Sequence, residues 1–167
     1  MASSVAPQLP SLSSFDTNTT DTSAIEWQHF DEDPRFDYPI NYSVGILGSS
    51  PGLSPGSGTV DFLGKWAPNS YCHYHRHLGD SMSLILEGEH HTVEMVDGKP
   101  VHTVRQAGSY VDKPGGDVHM EYSGPEGVLV FFRVTAVDGK VFEVLGKNDR
   151  VLNATSYEDF VAGNLPE

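Results

Sequence analysis

The 167-residue sequence predicts an all-β domain, an antiparallel barrel or sandwich with one short C-terminal helix. Three observations carry this. Short runs rich in apolar and β-branched residues succeed one another from Thr59 to Leu145. Tight-turn signals separate them, Asp97-Gly98 and Asp138-Gly139 being the clearest hairpin turns. No stretch of useful length has helical periodicity before Thr155.

Taken in order, residues 1–24 are rich in Ser, Thr, Ala and Pro, hold no Lys or Arg, and are expected to form a flexible arm. Residues 25–167 form the folded domain. Acidic and aromatic residues mix from Ile25 to Asp37, which reads as a short strand and a loop ending near Pro39. Ile40–Leu47 alternates loosely as a strand, and Gly48–Gly58 is a Ser/Pro/Gly loop. The following strands are Thr59–Trp66, Tyr71–His77, Ser81–Glu87, His90–Val96, Val101–Gln106, Ser109–Val111, Val118–Tyr122, Val128–Val137 and Lys140–Leu145. The helix is expected over Thr155–Ala162, with Thr155 as its cap, Glu158 three residues on, and Gly163 as its stop.

Composition excludes several function classes. A formal net charge of -13, with only 10 Lys and Arg, makes nucleic acid a poor partner. No apolar run approaches the roughly 18 to 20 residues of a membrane span, so no membrane partner is expected. The N-terminus lacks the basic and apolar regions of a signal peptide, and the arm lacks the Arg of a mitochondrial leader. The single cysteine, Cys72, excludes an internal disulfide framework and fits a reducing compartment. A cytoplasmic location is the expectation.

The chemistry concentrates in one run, His73-Tyr74-His75-Arg76-His77, and in His119 just beyond Pro114-Gly115-Gly116. Residues i, i+2 and i+4 of a strand share a face, so an extended chain points all three imidazoles into one space. A return strand can bring His119 to meet them. Neutral imidazole ligates Zn, Fe, Cu and Ni. The competing readings are an outer polar face of an edge strand for the run and a structural histidine for His119.

The segment Gly108 to Ser123 resembles the second signature of the cupins, G-x5-P-x-G-x2-H-x3-N. Gly108, Pro114, Gly116 and His119 stand at the required spacing, and Ser123 replaces the final Asn. Asn69 to Gly88 resembles the first signature, G-x5-H-x-H-x3,4-E-x6-G, less fully. Two registers are open there. His75 and His77 lead by the signature spacing to Ser81 and Gly88, which leaves Ser81 where the acidic ligand stands. His73 and His75 lead instead to Asp80, which keeps a carboxylate but places Gly88 one residue too far. Anchoring on Gly88, where a turn ends the strand, selects the first register. The resemblance then implies a jelly-roll β-barrel with a metal held by His75, His77 and His119.

A site of three neutral ligands is similar to that of cupin dioxygenases with three-histidine iron centres. These include the enzymes that cleave acetylacetone and 2,4'-dihydroxyacetophenone, and cupin domains like that of the anti-sigma factor ChrR. The resemblance implies Fe(II), with Zn, Ni, Co, Mn or Cu also suited to three imidazoles. It implies a small enolisable ketone or aromatic substrate, and O₂, with C–C bond cleavage at the metal. Cupins of this type often pair, which implies a homodimer with residues near 25–45 exchanged. A redox-silent isomerase, dehydratase, cyclase or decarboxylase is the rival reading, with Glu121, Asp80 or His73 moving protons. A binding module that senses through its metal is the third.

Other residues carry blander expectations. His73 stands on the ligand face but fits a supporting or entrance role better than direct ligation. Glu121 shares the inward face with His119, as a hydrogen-bond partner or base, or as a solvated carboxylate at the barrel mouth. Tyr71, Tyr74, Phe131 and Phe132 read as core or outer packing. Cys72 has the opposite parity from the histidines. His29, His90, His91 and His102 read as surface or hairpin residues.

Overall fold

In the computed structural model, which describes residues 21–165, two long strands organise everything else. Most of the expected N-terminal arm lies outside the described residues. The chain runs β1 (Trp27–Asp31), β2 (Asn41–Pro51), β3 (Gly58–Trp66), β4 (His75–His77), β5 (Ser81–Val96), β6 (Lys99–Gln106), β7 (Tyr110–Lys113), β8 (Val118–Ala136), β9 (Lys140–Leu145), β10 (Val151–Ser156) and α1 (Tyr157–Val161). All named strand pairs are antiparallel.

β5 and β8 pair along almost their full length, from Ser81 opposite Val134 to Glu94 opposite His119. Each is shared by two layers. One layer runs β1-β2-β3, the second half of β8, the first half of β5, then β7. The other runs β10-β9-β4, the first half of β8, the second half of β5, then β6. This is a curled jelly-roll sheet, and the rings of Phe62 on β3 and Phe142 on β9 meet across its interior at 6.1 Å.

The long strands explain two differences from expectation. Four separate strands were expected where β5 and β8 run on. In β5 the ladder shifts register between Ile85 and Glu87 and again between Gly88 and His90. Gly88 sits at φ +76, and a Cβ there would lie 2.1 Å from the Gly127 carbonyl oxygen. A glycine is what lets the bulge pass that close. The bulges change the inward phase of the strand: Ser81, Ser83 and Ile85 point in before them, His90 and Thr92 after. On β8 alternation buries His119, Glu121 and Ser123 in the first half, and Val128, Val130, Phe132 and Val134, with Leu129 also buried, in the second.

Other elements also differ from expectation. β2 continues through Gly48–Pro51, because that segment finds ladder partners in Asp61–Gly58. β4 is shorter than the expected Tyr71–His77: Tyr71 makes isolated bridges to Ile40 and Tyr122, and residues 72–74 join no ladder. β10 was not expected from Val-Leu-Asn-Ala-Thr-Ser, which has no clean alternation; pairing with β9 makes it a strand. The C-terminal helix is present but starts one residue later. Ser156 caps it, its Oγ accepting from Asp159 N at 3.0 Å, and Gly163 ends it at φ +71. Phe160 of this helix packs edge-on against Phe62 and against Phe142.

Among the described residues, no helix is long and apolar enough to cross a membrane. β1 pairs with β2 of its own chain.

Candidate metal centre

β4 and β8 carry the centre. His75 on β4 stands opposite His119 on β8, and His77 lies two residues along on the same face. The turn between β7 and β8 fixes the register: Gly116 N donates to His77 O at 2.8 Å, and His77 N donates to Asp117 O at 2.9 Å. Gly116 holds φ +89, which only glycine adopts without strain. The three rings form a near-equilateral triangle, with centroids 4.9 Å (His75–His77), 4.7 Å (His75–His119) and 5.0 Å (His77–His119) apart. His77 and His119 are buried, and the His75 side chain is nearly so.

The nitrogens are oriented. His75 Nδ1–H donates to the His73 carbonyl at 2.8 Å, which turns Nε2 inward as a bare lone pair. That Nε2 lies 3.0 Å from His77 Nε2. His119 Nδ1 is held by Asp117 Oδ2 at 2.8 Å, a carboxylate–histidine pair of the kind that orients metal ligands. Among the described residues, His119 Nε2 and His77 Nδ1 have no hydrogen-bond partner although both are buried. Two ligands each about 2.1 Å from one ion, at a right angle, stand about 3.0 Å apart, so the His75–His77 edge fits an ion. The donor set and the inward nitrogens accommodate a divalent metal.

Charge balance points the same way. Burial, reinforced by a charged His119, pulls His75 down to about 4, and burial with its two neighbouring imidazoles takes His77 lower still. Both are therefore neutral donors near pH 7. Burial also opposes a charge on His119, but Glu121 and Asp117 outweigh it and hold its pKa at about 10. Burial likewise opposes the charge on Glu121, yet His119 and His90 keep it ionised, well below the ordinary carboxylate range. The interior thus holds a fixed negative charge and asks for a positive one, from a proton on His119 or from a metal.

Glu121 lies beside the triangle. Its Oε1 is 3.3 Å from His119 Nε2 and 3.2 Å from His90 Nε2, and its Oε2 is 3.8 Å from His75 Nε2. It is buried, so the reading of a solvated carboxylate at the barrel mouth is corrected. His90 is also a correction: it is 2% exposed, not a surface residue, because the Gly88 bulge turns it inward. No periodicity argument finds this without knowing the bulge. Asp117 was missed too, although the spacing Asp117-Val118-His119 puts both on one face.

His73 supports the centre through its backbone carbonyl, while its side chain turns the other way. Its Nε2 faces Asp33 Oδ2 at 3.1 Å and its Nδ1 faces Tyr42 Oη at 2.9 Å. Asp33 is held down at about 2, chiefly by hydrogen bonds from Arg35. An ionised Asp33 accepts from His73 Nε2–H, which leaves Nδ1 to accept from the Tyr42 hydroxyl. Neither Asp33 nor Tyr42 carries a sequence signal. Asp80 is exposed and stands apart from the group; its Oδ1 accepts from Gly115 N at 3.0 Å and shapes the turn. Ser81, at the signature's acidic position, is buried at the start of β5. Ser123, in place of the signature Asn, ties the chain before β4: Ser70 N donates to its Oγ at 3.2 Å, and that Oγ donates to Ala67 O.

Beside His75 and His77, aromatic rings wall a pocket. Phe30, Tyr42, Phe62, Trp66, Phe132, Phe142 and Phe160 line it together with His75, His77 and Glu121. Phe132, expected as packing, is both core and wall; it stacks on Phe62 at 5.0 Å. Cys72 also borders the pocket, buried, with its thiol pKa pushed well up by desolvation and by Glu121, so it stays a thiol. His91 and His102 lie on the outer face with Tyr122, as expected.

No protein-family model matches the chain, and no curated protein sequence does. Solved structures do. An RmlC-like cupin from Ralstonia eutropha superposes with a TM-score of 0.60 at 18% identity, covering 90% of this chain and 88% of that one. An acetylacetone dioxygenase from Acinetobacter johnsonii gives 0.57 at 16%, covering 98% and 93%. A cupin-2 domain protein from Rhodospirillum rubrum gives 0.57 at 14%, covering 79% and 82%. The jelly-roll fold read from the sequence is therefore the cupin fold.

Proposed function

We propose that this chain is a metal-dependent cupin dioxygenase that cleaves a C–C bond in a small enolisable ketone or aromatic substrate. One observation carries the reading: three imidazoles converge, and two of them, His75 and His77, line a pocket whose walls are aromatic. The acetylacetone dioxygenase of the same fold supports it. Bound by His75, His77 and His119, a metal such as Fe(II) would supply a Lewis acid for a substrate oxygen and a site for O₂.

The protein's own residues do the rest. The aromatic walls take up an apolar substrate body and exclude water, which strengthens every polar contact inside. With His73 Nδ1 accepting from its hydroxyl, Tyr42 Oη is free to accept a hydrogen bond from a substrate O–H. A proton lost there passes to His73, whose far nitrogen is braced by Asp33. Glu121 keeps the floor of the pocket negative. The proposed partners are the substrate, O₂ and a second copy of the chain.

The Tyr42–His73–Asp33 array favours a second reading, a redox-silent lyase or isomerase in which the metal polarises a carbonyl and the array moves the proton. Oxygen consumption separates the two. The Fe(II)-loaded protein is expected to consume one O₂ per C–C bond cleaved with β-diketones or hydroxylated acetophenones. Turnover of the same substrates under anaerobic conditions with Zn or Ni would overturn the dioxygenase reading.

A further inference from the structure

We propose that Glu121 is a fourth ligand of the metal centre, delivered from β8 and held in position by His90. The proposal rests on the metal reading of His75, His77 and His119. The signature places an acidic ligand at the start of β5, and Ser81 occupies that position here. The carboxylate nearest the inward nitrogens comes from the neighbouring strand instead.

Distances allow it. Donors about 2.1 Å from one ion lie about 3.0 Å apart at a right angle, about 3.4 Å at a tetrahedral angle and about 4.2 Å when opposed. The edges here are 3.0 Å from His75 Nε2 to His77 Nε2, 3.3 Å from His119 Nε2 to Glu121 Oε1, and 3.8 Å from His75 Nε2 to Glu121 Oε2, so each carboxylate oxygen faces a different donor nitrogen. All fall in that range. His119 and Glu121 point the same way from one strand, so no backbone movement is needed.

The side of approach separates a ligand from a supporting group. A group that supports a ligand histidine touches the nitrogen facing away from the metal. Asp117 does so at His119 Nδ1, and the His73 carbonyl does so at His75 Nδ1. Glu121 instead approaches Nε2 of both rings, the nitrogens that face the centre. It stands among the donors.

His90 has no other visible task. Both its ring nitrogens are buried without a hydrogen bond among the described residues, and Glu121 Oε1 is 3.2 Å from its Nε2. Trp66 and Phe132 pack against its ring. An imidazole N–H held there fixes the carboxylate plane, with Oε1 beside His119 and Oε2 beside His75. With an anionic ligand, the centre carries a net +1 instead of +2.

Co(II) added to the full-length protein tests this without any substrate. Glu121→Gln is expected to weaken Co(II) binding at least about 100-fold, the upper end of what losing a supporting group does, and to change the visible ligand-field spectrum. His90→Gln keeps a donor and is expected to retain the wild-type spectrum, whereas His90→Phe is expected to shift it. An unchanged spectrum in Glu121→Gln, or a loss under about tenfold, overturns the proposal. Infrared difference spectra of the wild-type protein with and without Co(II) make the result independent of any variant's folding. A carboxylate band that moves on binding is expected, and its absence overturns the proposal. Failure of the wild-type protein to bind Co(II) at all would overturn the metal reading itself, a different result.

Discussion

Metal binding at this centre should release one proton per ion at neutral pH. His119, flanked by Asp117 and Glu121, has its pKa raised to about 10, so the metal-free protein carries a proton there at pH 7. His75, at about 4, and His77, lower still, are already neutral and release none. Glu121 and Asp117 both have lowered pKa values and are ionised. Three pH units at 1.36 kcal/mol each make the proton's competition worth about 4 kcal/mol at pH 7, or about 1000-fold in affinity. Apparent affinity for Zn(II) or Co(II) should therefore rise about tenfold per pH unit from pH 7 to 9. Calorimetric titration in two buffers of different ionisation heat counts the protons. Asp117→Asn removes one of the two flanking carboxylates and should make the slope shallower. An affinity independent of pH over this range, or release of two or three protons, would refute the charge balance described above.

The same shift sets the stability of the metal-free protein. A folded pKa raised above the ordinary 6.5 stabilises fully below pH 6.5 and loses that contribution as pH climbs toward 10, so its Tm should fall between pH 7 and 10. A Tm that is flat across that window would count against the buried Asp117–His119–Glu121 arrangement. Phe132→Ala removes a 4%-exposed ring stacked on Phe62 and should cost about 3 to 5 kcal/mol by thermal or denaturant unfolding. Phe131→Ala, on the other face of β8, should cost clearly less; equal losses would deny that the aromatic wall is core. Gly88→Ala meets the Gly127 carbonyl at 2.1 Å, while Gly98→Ala, at a similar φ of +73, meets nothing within 4 Å. The second should cost about 1 kcal/mol and the first clearly more, and the reverse order would contradict the bulge.

Much of this was legible in the chain because it rests on alternation and turn chemistry. Apolar and β-branched runs bounded by turn signals mark β3, β9 and both halves of β8, and the Pro114-Gly115-Gly116 turn delivers His119 to the interior. Anchoring on Gly88 singled out His75 and His77, which the fold places with His119. What the chain did not disclose depends on partners distant in sequence. β10 and the end of β2 are strands because β9 and β3 supply their hydrogen bonds. The inward turn of His90 depends on a bulge that Gly127 makes room for, across the sheet. Asp33 and Tyr42 reach His73 from segments 40 and 31 residues away, a juxtaposition that local pattern does not encode.

Metal stoichiometry tests the central claim most directly. The full-length protein, stripped and then titrated with Co(II) or Fe(II) under anaerobic conditions, is expected to bind one ion per chain through imidazole nitrogen. His77→Ala, which removes a donor without touching the Asp117–His119–Glu121 contacts, is expected to abolish that binding while the chain stays folded by circular dichroism. Undiminished binding in folded His77→Ala, or no binding in the wild type, would contradict a metal centre built on His75, His77 and His119.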